Sequence, residues 1–273
     1  MIVAAVDARV CTLTIAWQAF ADAPVVVAAN RDEALDRPSE PPARVAGTPG
    51  FVAPRDAEAG GTWIGVNDAG VFVGITNRWA SVAGGGERSR GLLVRDALGA
   101  TSAEAATRIV ENALREHRYD GFNLVLADEN AAVFVEWDGT ARVRNLSPGV
   151  HVVVNVGADG EFFEPDHRPE MGPEQADNAT RVQEALWPEP GERPGEWLDR
   201  ASVALADHDY GVCVHSDGPD TTGGYGTRSS SLVTVHDDGR VDYQFAPGPP
   251  CETPYEPVTA TVGERVDAGE GQL

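Results

Sequence analysis

The fold class this sequence predicts is an α+β sandwich, antiparallel sheets with helices segregated to their outer faces, in a single domain. Two observations carry it. Short apolar runs joined by turn residues dominate the chain, and a helical period occurs only in two blocks set between groups of strands. A third observation supports one domain: no repeat or linker divides the 273 residues, a length with ample material for a core.

The elements follow in order. CTLTIAW (11–17) and PVVVAAN (24–30) read as strands joined through FADA. The charged string after Asn30 contains poor strand formers, so the second strand is expected to end there, with a loop from Asp32 to about Pro49. Gly61–Val66 and Val71–Thr76 flank NDAG, a turn between two apolar runs. SRGLLVRDALGA (89–100) and TSAEAATRIVENALREH (101–117) space apolar residues three and four apart, predicting two helices in series with Ser102 as an N-cap. Strands resume at 122–128, 131–137, 141–146 and 151–155, joined by DEN and DG turns. A loop from Gly157 to Gln175 leads to helices near Ala176–Leu186 and Glu196–Ala206. GVCVH (211–215), a Gly-rich loop and the hairpin SLVTVHDDGRVDYQF (231–245) complete the domain, which spans 11–247. Residues 1–10 are expected to be a leader or a misassigned start, and 248–273 a loose, Pro-rich then acidic tail.

Charge limits the partners. There are 43 acidic residues against 21 basic ones, every one an arginine, for a net charge of -22. Nucleic acids and anionic membranes are bound mainly by cations that neutralise phosphate, so neither is expected as a partner. No apolar stretch reaches the roughly 18 residues that would span a bilayer. Three cysteines without CxxC spacing fit a reducing cytosol better than a disulfide scaffold, so the sequons at Asn145 and Asn178 are not expected to be used. The absence of lysine beside abundant Ala, Val and carboxylates resembles proteins of halophilic archaea, a statement about solvent rather than function. Oligomeric state is not legible.

Two stretches carry candidate chemistry. ANRDEALDRP (29–38) puts Asn30, Arg31 and Asp32 at a strand end, where sheets display functional groups; a strand-to-loop transition with solvated charges explains the same residues. In RDAEAGGTWIGVNDAGVFVGITNRW (55–79), Trp63, Phe72 and Trp79 supply apolar walls, while Asn77 and Arg78 end a strand with polar groups. Binding sites and ordinary hairpins both look like this. Cys213 and His215 share a strand face with His208 nearby. A metal site needs further ligands, so a core thiol with a surface imidazole is expected here, and no metal. There is no GxSxG elbow, HExxH or P-loop, and GGYG (223–226) is too short for a dinucleotide fingerprint.

These segments together resemble one family. A cysteine opening the first strand, NRDE after the second, GGTWIGVNDAGVFVGITNR, SRGLLVRDAL, YDGFNLVLAD and YGTRSSSLV identify the chain as a member of the NRDE family, that of transport and Golgi organisation protein 2, from Cys11 to about Phe245. The family is similar to N-terminal-nucleophile hydrolases of the bile-salt hydrolase and penicillin V acylase type, which implies a four-layer αββα sandwich. It also implies a cysteine amidohydrolase or acylase acting on a small acylated metabolite, with no required cofactor. In such enzymes the first residue's thiol attacks an amide carbonyl and its own α-amine serves as base. The resemblance makes Cys11 the nucleophile, Arg31 the guanidinium beside the thiol and Asp32 the partner of the α-amine. Those enzymes space the latter two apart, whereas here they are adjacent and point to opposite faces of an intact strand. Asn155 and Asn77 are the available oxyanion amides, with Asn155 favoured by position. Asn30, Trp63, Asn77, Arg78 and Arg228 would line or hold the substrate, although a strand-edge salt bridge explains Arg228 equally well. The alternative is a non-catalytic haem or lipid/acyl-CoA binding and transfer protein, as eukaryotic members suggest, with Cys11 or His151 as haem ligand.

The mechanism needs a free amine at Cys11, since an α-amine with a pKa of about 7.7–8.0 can take the thiol proton and a peptide nitrogen cannot. Val10 precedes Cys11, and a GTG codon encodes valine internally but methionine at a start. Translation from position 10 followed by methionine removal would expose Cys11.

Overall fold

The first two strands are rich in apolar residues because both of their faces are buried along most of their length. In the computed structural model, which describes residues 11–216 and 224–260, β1 (Thr12–Phe20) and β2 (Ala23–Ala34) pair antiparallel at the centre of a large sheet. Leu13, Ile15, Val25 and Val27 pack on one side, and Ala16, Val26 and Ala28 on the other.

Four strands follow: β3 (Ser39–Val45), β4 (Phe51–Asp56), β5 (Ile64–Asn67) and β6 (Phe72–Asn77). Next come α1 (Arg90–Ala97) and α2 (Ala103–Glu116), with Ser102 Oγ accepting from the Ala105 N–H at 3.1 Å as the N-cap. Three strands, β7 (Phe122–Ala127), β8 (Ala132–Trp137) and β9 (Ala141–Asn145), close a second sheet of order β3-β4-β5-β6-β7-β8-β9, antiparallel throughout. The chain then returns to the first sheet as β10 (Gly149–Val154), β11 (Gly157–Ala158) and β12 (Glu161–Phe162). Helices α3 (Met171–Ala185) and α4 (Pro194–Ala206) precede β13 (His215–Ser216), β14 (Tyr225–Val235), β15 (Val241–Ala246) and β16 (Glu256–Pro257). The first sheet runs β12-β11-β10-β1-β2-β14-β15-β16, with β13 on β14.

Three apolar clusters make this four layers. Leu13, Ile15, Val27, Ile64, Phe72, Phe134 and Val233 fill the space between the sheets. Val26, Val152, Leu186, Trp197 and Leu205 join the first sheet to α3 and α4. Leu93, Val110, Tyr119 and Leu124 join the second to α1 and α2. The expected αββα sandwich is the fold. No helix among the described residues is long and apolar enough to cross a membrane.

Several boundaries differ from the sequence reading. NRDE does not end β2; the strand continues to Ala34 because each charged side chain meets a partner, Arg31 the Trp63 ring, Asp32 the Thr227 hydroxyl across the sheet and Glu33 the guanidinium of Arg37. The loop expected from Asp32 to Pro49 contains β3, whose Pro41 and Pro42 are tolerated because it is an edge strand. The segment 248–260 is not loose: β16 pairs with β15, the Val258 N–H donates to the Tyr243 carbonyl at 2.8 Å, and Tyr255 Oη lies 2.7 Å from Ser230 Oγ. The expected leader and residues 261–273 lie outside the described residues.

Candidate active site

Cys11 sits at the lip of the two-sheet sandwich, one residue before β1. Extending the β1 registers places it between β10 and β2, because Leu13 pairs with Val153 on one side and Thr12 with Asn30 on the other. Its backbone nitrogen donates to Asn155 Oδ1 at 3.1 Å, and its Sγ approaches the Asp32 carbonyl oxygen at 3.6 Å. A cleft of about 100 Å³ opens beside the thiol, walled by Arg31, Trp63, Asn77 and the start of α1 at Ser89–Gly91.

The alternation of β2 distributes its charges. Arg31 turns toward the cleft and lies over the Trp63 ring, 4.1 Å from guanidinium carbon to ring centroid. Its Nη1 is buried with no hydrogen-bond partner among the described residues. Asp32, one residue on, also borders the cleft; its Oδ1 accepts from Thr227 Oγ1 at 2.5 Å, and Thr227 Oγ1 in turn accepts from the Val214 N–H at 2.9 Å. Asp32 Oδ2 is buried and unpartnered. Burial raises the Asp32 carboxyl well above the usual carboxylate range, against the Thr227 bond and the Arg31 charge. Burial also pushes the Cys11 thiol up to about 12, helped by the charge of Asp32 and opposed by Arg31. A thiol so placed stays protonated near neutral pH and needs a base.

Asn155 is fully buried. Its Oδ1 receives Cys11 N and Gln175 Nε2, the latter at 2.8 Å, while its Nδ2 donates to the Asn77 carbonyl at 2.7 Å. Asn155, the expected oxyanion amide, thus holds the nitrogen of Cys11 and is not among the residues that line the cleft. Asn77, half-buried, is the asparagine that does.

Three further expected residues do not line this cleft. Asn30 borders a smaller cavity on the other side of Cys11 and Trp63, and its Nδ2 donates to the carbonyls of Leu205 and Val212 at 2.9 and 2.8 Å, which ties α4 and the following loop to β2. Arg78 is absorbed by a buried network, donating to Glu136 Oε1 at 2.7 Å and Asn123 Oδ1 at 3.0 Å, and does not wall the cleft. Arg228 donates to the Arg37 carbonyl at 3.2 Å, outside the cleft. His151, the alternative haem ligand, has both ring nitrogens engaged, with Asp159 Oδ2 at 2.8 Å and the Ser147 carbonyl at 2.7 Å.

Sequence reasoning missed Gln175 and Thr227, which orient Asn155 and Asp32. Ordinary polar residues in a helix and a strand carry no sequence signal of such a role. It also missed that Cys251 completes a cluster with His208, Cys213 and His215, whose ligand atoms all lie within 4.8 Å of one another.

Comparison with known protein families matches residues 10–244, most of the chain, to Transport and Golgi organisation 2. The chain belongs to the Transport and Golgi organisation 2 family. The human Transport and Golgi organization protein 2 homolog is 26% identical over 244 residues, covering 80% of this chain and 84% of its own. The bovine homolog is 27% identical over 243 residues with the same coverage. Among solved structures, penicillin V acylase from Agrobacterium tumefaciens superposes with a TM-score of 0.55 over 87% of this family member and 83% of the acylase, at 17% identity. That likeness establishes the N-terminal-nucleophile-hydrolase-like fold and nothing about substrate.

Proposed function

We propose that the protein is a cysteine amidohydrolase of the N-terminal-nucleophile kind, acting on a small acylated metabolite once Cys11 is the first residue. One observation carries this reading. A cysteine lies at the mouth of a cleft with its backbone nitrogen held by a buried asparagine and a guanidinium on the cleft wall beside it.

The chemistry follows from that placement. The α-amine of Cys11, held by Asn155, takes the proton of a thiol that burial keeps from ionising alone. Sulfur attacks the amide carbonyl, and the oxyanion meets the side-chain amide of Asn77 on the cleft wall. The C–N bond breaks as the ammonium returns its proton to the leaving amine, giving a thioester. Water, deprotonated by the same amine, then releases the carboxylic acid and regenerates the thiol. Arg31, with Nη1 unpartnered, is suited to a polar group of the substrate beside the reacting centre. Asp32 Oδ2, buried and unpartnered, is suited to the extra protons a free amine would carry.

Of the two haem-ligand candidates of the carrier reading, His151 is already engaged on both nitrogens, which leaves Cys11, the residue the hydrolase reading uses. The test is the N-terminal residue and intact mass of the protein from its own organism, followed by a panel of N-acyl substrates. A chain beginning at Cys11, with amide cleavage lost in Cys11→Ser by ~10⁴-fold or more, is the expected result. A chain that keeps residues 1–10 excludes the amine as base.

A further inference from the structure

Behind the sheet that carries Asp32, on the face opposite the cleft, two histidines and two cysteines converge from two segments far apart in sequence. His208, Cys213 and His215 lie on the stretch that leaves α4, and Cys251 on the turn between β15 and β16. Cys213 Sγ is 3.4 Å from Cys251 Sγ and 3.7 Å from His215 Nε2, and His215 Nε2 is 3.1 Å from Cys251 Sγ. The rings of His208 and His215 have centroids 5.1 Å apart. All four ligand atoms lie within 4.8 Å of one another.

The three separations among Cys213, His215 and Cys251 are close to the edges of a coordination tetrahedron, and the His208 ring nitrogen lies within 4.8 Å of all three ligand atoms. Bonds of about 2.3 Å to sulfur and 2.0–2.1 Å to nitrogen imply ligand–ligand edges of roughly 3.3–3.8 Å. A hydrogen-bonded pair or a chance contact does not require four such atoms to be mutually close. Two thiolates with two imidazoles is the donor set that a borderline-soft divalent ion of tetrahedral preference takes, and zinc foremost. Cys213 is buried while the two histidines and Cys251 are exposed, so an ion can reach the cluster from solvent.

We infer that His208, Cys213, His215 and Cys251 bind one zinc ion in a closed, four-ligand structural site. Binding exchanges two thiol protons for the metal, leaving both sulfurs as thiolates and the oxidation states unchanged. The site clasps the segment 247–260 to the stretch that follows α4. That stretch backs the catalytic strand: the Val212 carbonyl accepts from Asn30, and the Val214 N–H donates to Thr227, the partner of Asp32. The metal therefore steadies the layer that holds Asp32 without entering the cleft. This inference stands independently of the proposed hydrolase activity.

Titration of the reduced, chelator-stripped full chain with Co²⁺ alone tests it. Expected are the visible bands of tetrahedral cobalt and a sulfur charge-transfer band, saturating at one equivalent and abolished by stoichiometric Zn²⁺. Cys11→Ser should keep the whole spectrum, and Cys251→Ser, at an exposed position, should lose the one-equivalent charge-transfer step. His208→Ala should weaken Zn²⁺ binding by more than the ~10–100-fold typical of losing an outer-shell partner. Absence of tetrahedral bands in the wild type would overturn the inference, as would a spectrum unchanged in Cys251→Ser. A Cys213–Cys251 disulfide in protein isolated anaerobically from its own cells would also overturn it.

Discussion

Two asparagines near Cys11 look alike in sequence and differ in what their atoms are free to do. Asn155 spends its oxygen on Cys11 N and Gln175 and its nitrogen on the Asn77 carbonyl, whereas Asn77 is itself one of the residues that line the cleft. Asn77→Ala is therefore expected to slow amide turnover by about 10²–10³-fold with little change in KM, the signature of a lost oxyanion donor. An effect on KM alone would place Asn77 in ground-state binding instead. Asp32 gives a prediction that needs no substrate. Its folded-state pKa is raised, above all by burial, so the folded chain keeps a proton that the unfolded chain releases above about pH 4. The contribution of Asp32 to stability is thus greatest at acid pH and falls as pH rises toward the folded value. Asp32→Asn, which can still accept from Thr227, cannot lose that proton. In urea unfolding of the full chain, the stability of the variant relative to wild type should rise between pH 4.5 and 8. A constant difference would mean that Asp32 titrates alike in both states.

At the scale of elements, the strands were legible wherever apolar runs met turn residues, and the helices wherever the period changed. What was not legible depended on partners across the fold. Arg31, Asp32 and Glu33 are poor strand formers locally, yet β2 continues through them because Trp63, Thr227 and Arg37 receive their side chains. Cys251 lies in a Pro-rich stretch 38 positions from Cys213, and only the pairing of β14, β15 and β16 brings them together. The same dependence governs how α1 reaches the cleft. A Cβ on Gly61 would lie 2.2 Å from the Gly91 carbonyl carbon and 2.6 Å from Leu92 N, and the Thr62 N–H donates to the Gly91 carbonyl at 3.0 Å. This close backbone approach seats the start of α1 against the cleft. Gly60, in contrast, has φ +73° and open space where a Cβ would go. Gly61→Ala should cost about 1–3 kcal/mol through overpacking and reduce turnover by displacing Ser89–Gly91. Gly60→Ala should cost only about 1–2 kcal/mol of backbone strain and leave turnover of the surviving folded protein near wild type. Equal losses of turnover in both would show that α1 is not held through Gly61.

Over the whole molecule, charge opposes compactness. With 43 acidic residues against 21 arginines and a net charge of -22, the folded chain concentrates like charges that unfolding would spread apart. Opposing this are surface pairs such as Arg44–Asp68 at 2.5 Å, Arg55–Glu40 at 3.3 Å and Arg240–Asp242 at 2.8 Å. Exposed pairs of this kind are worth about 0–1 kcal/mol each, and salt weakens them as well. The acidic excess outnumbers the available partners, so screening should relieve more repulsion than it removes attraction. Raising KCl from 0.1 to 1 M shortens the Debye length from about 10 to 3 Å. The melting temperature should then rise by several degrees, at ~2–4 °C per kcal/mol for a domain of this size. Chloride is the informative salt, because sulfate would strengthen apolar burial by itself. The shape of the curve carries the second half of the test. A rise that levels off near 1 M is what screening alone produces. A rise that continues into several molar KCl requires the acidic coat to be stabilised by its hydration in concentrated salt, as the composition of halophilic proteins suggests. A fall at the first increment would show instead that the arginine pairs, not the unpaired carboxylates, govern the balance of charge in this fold.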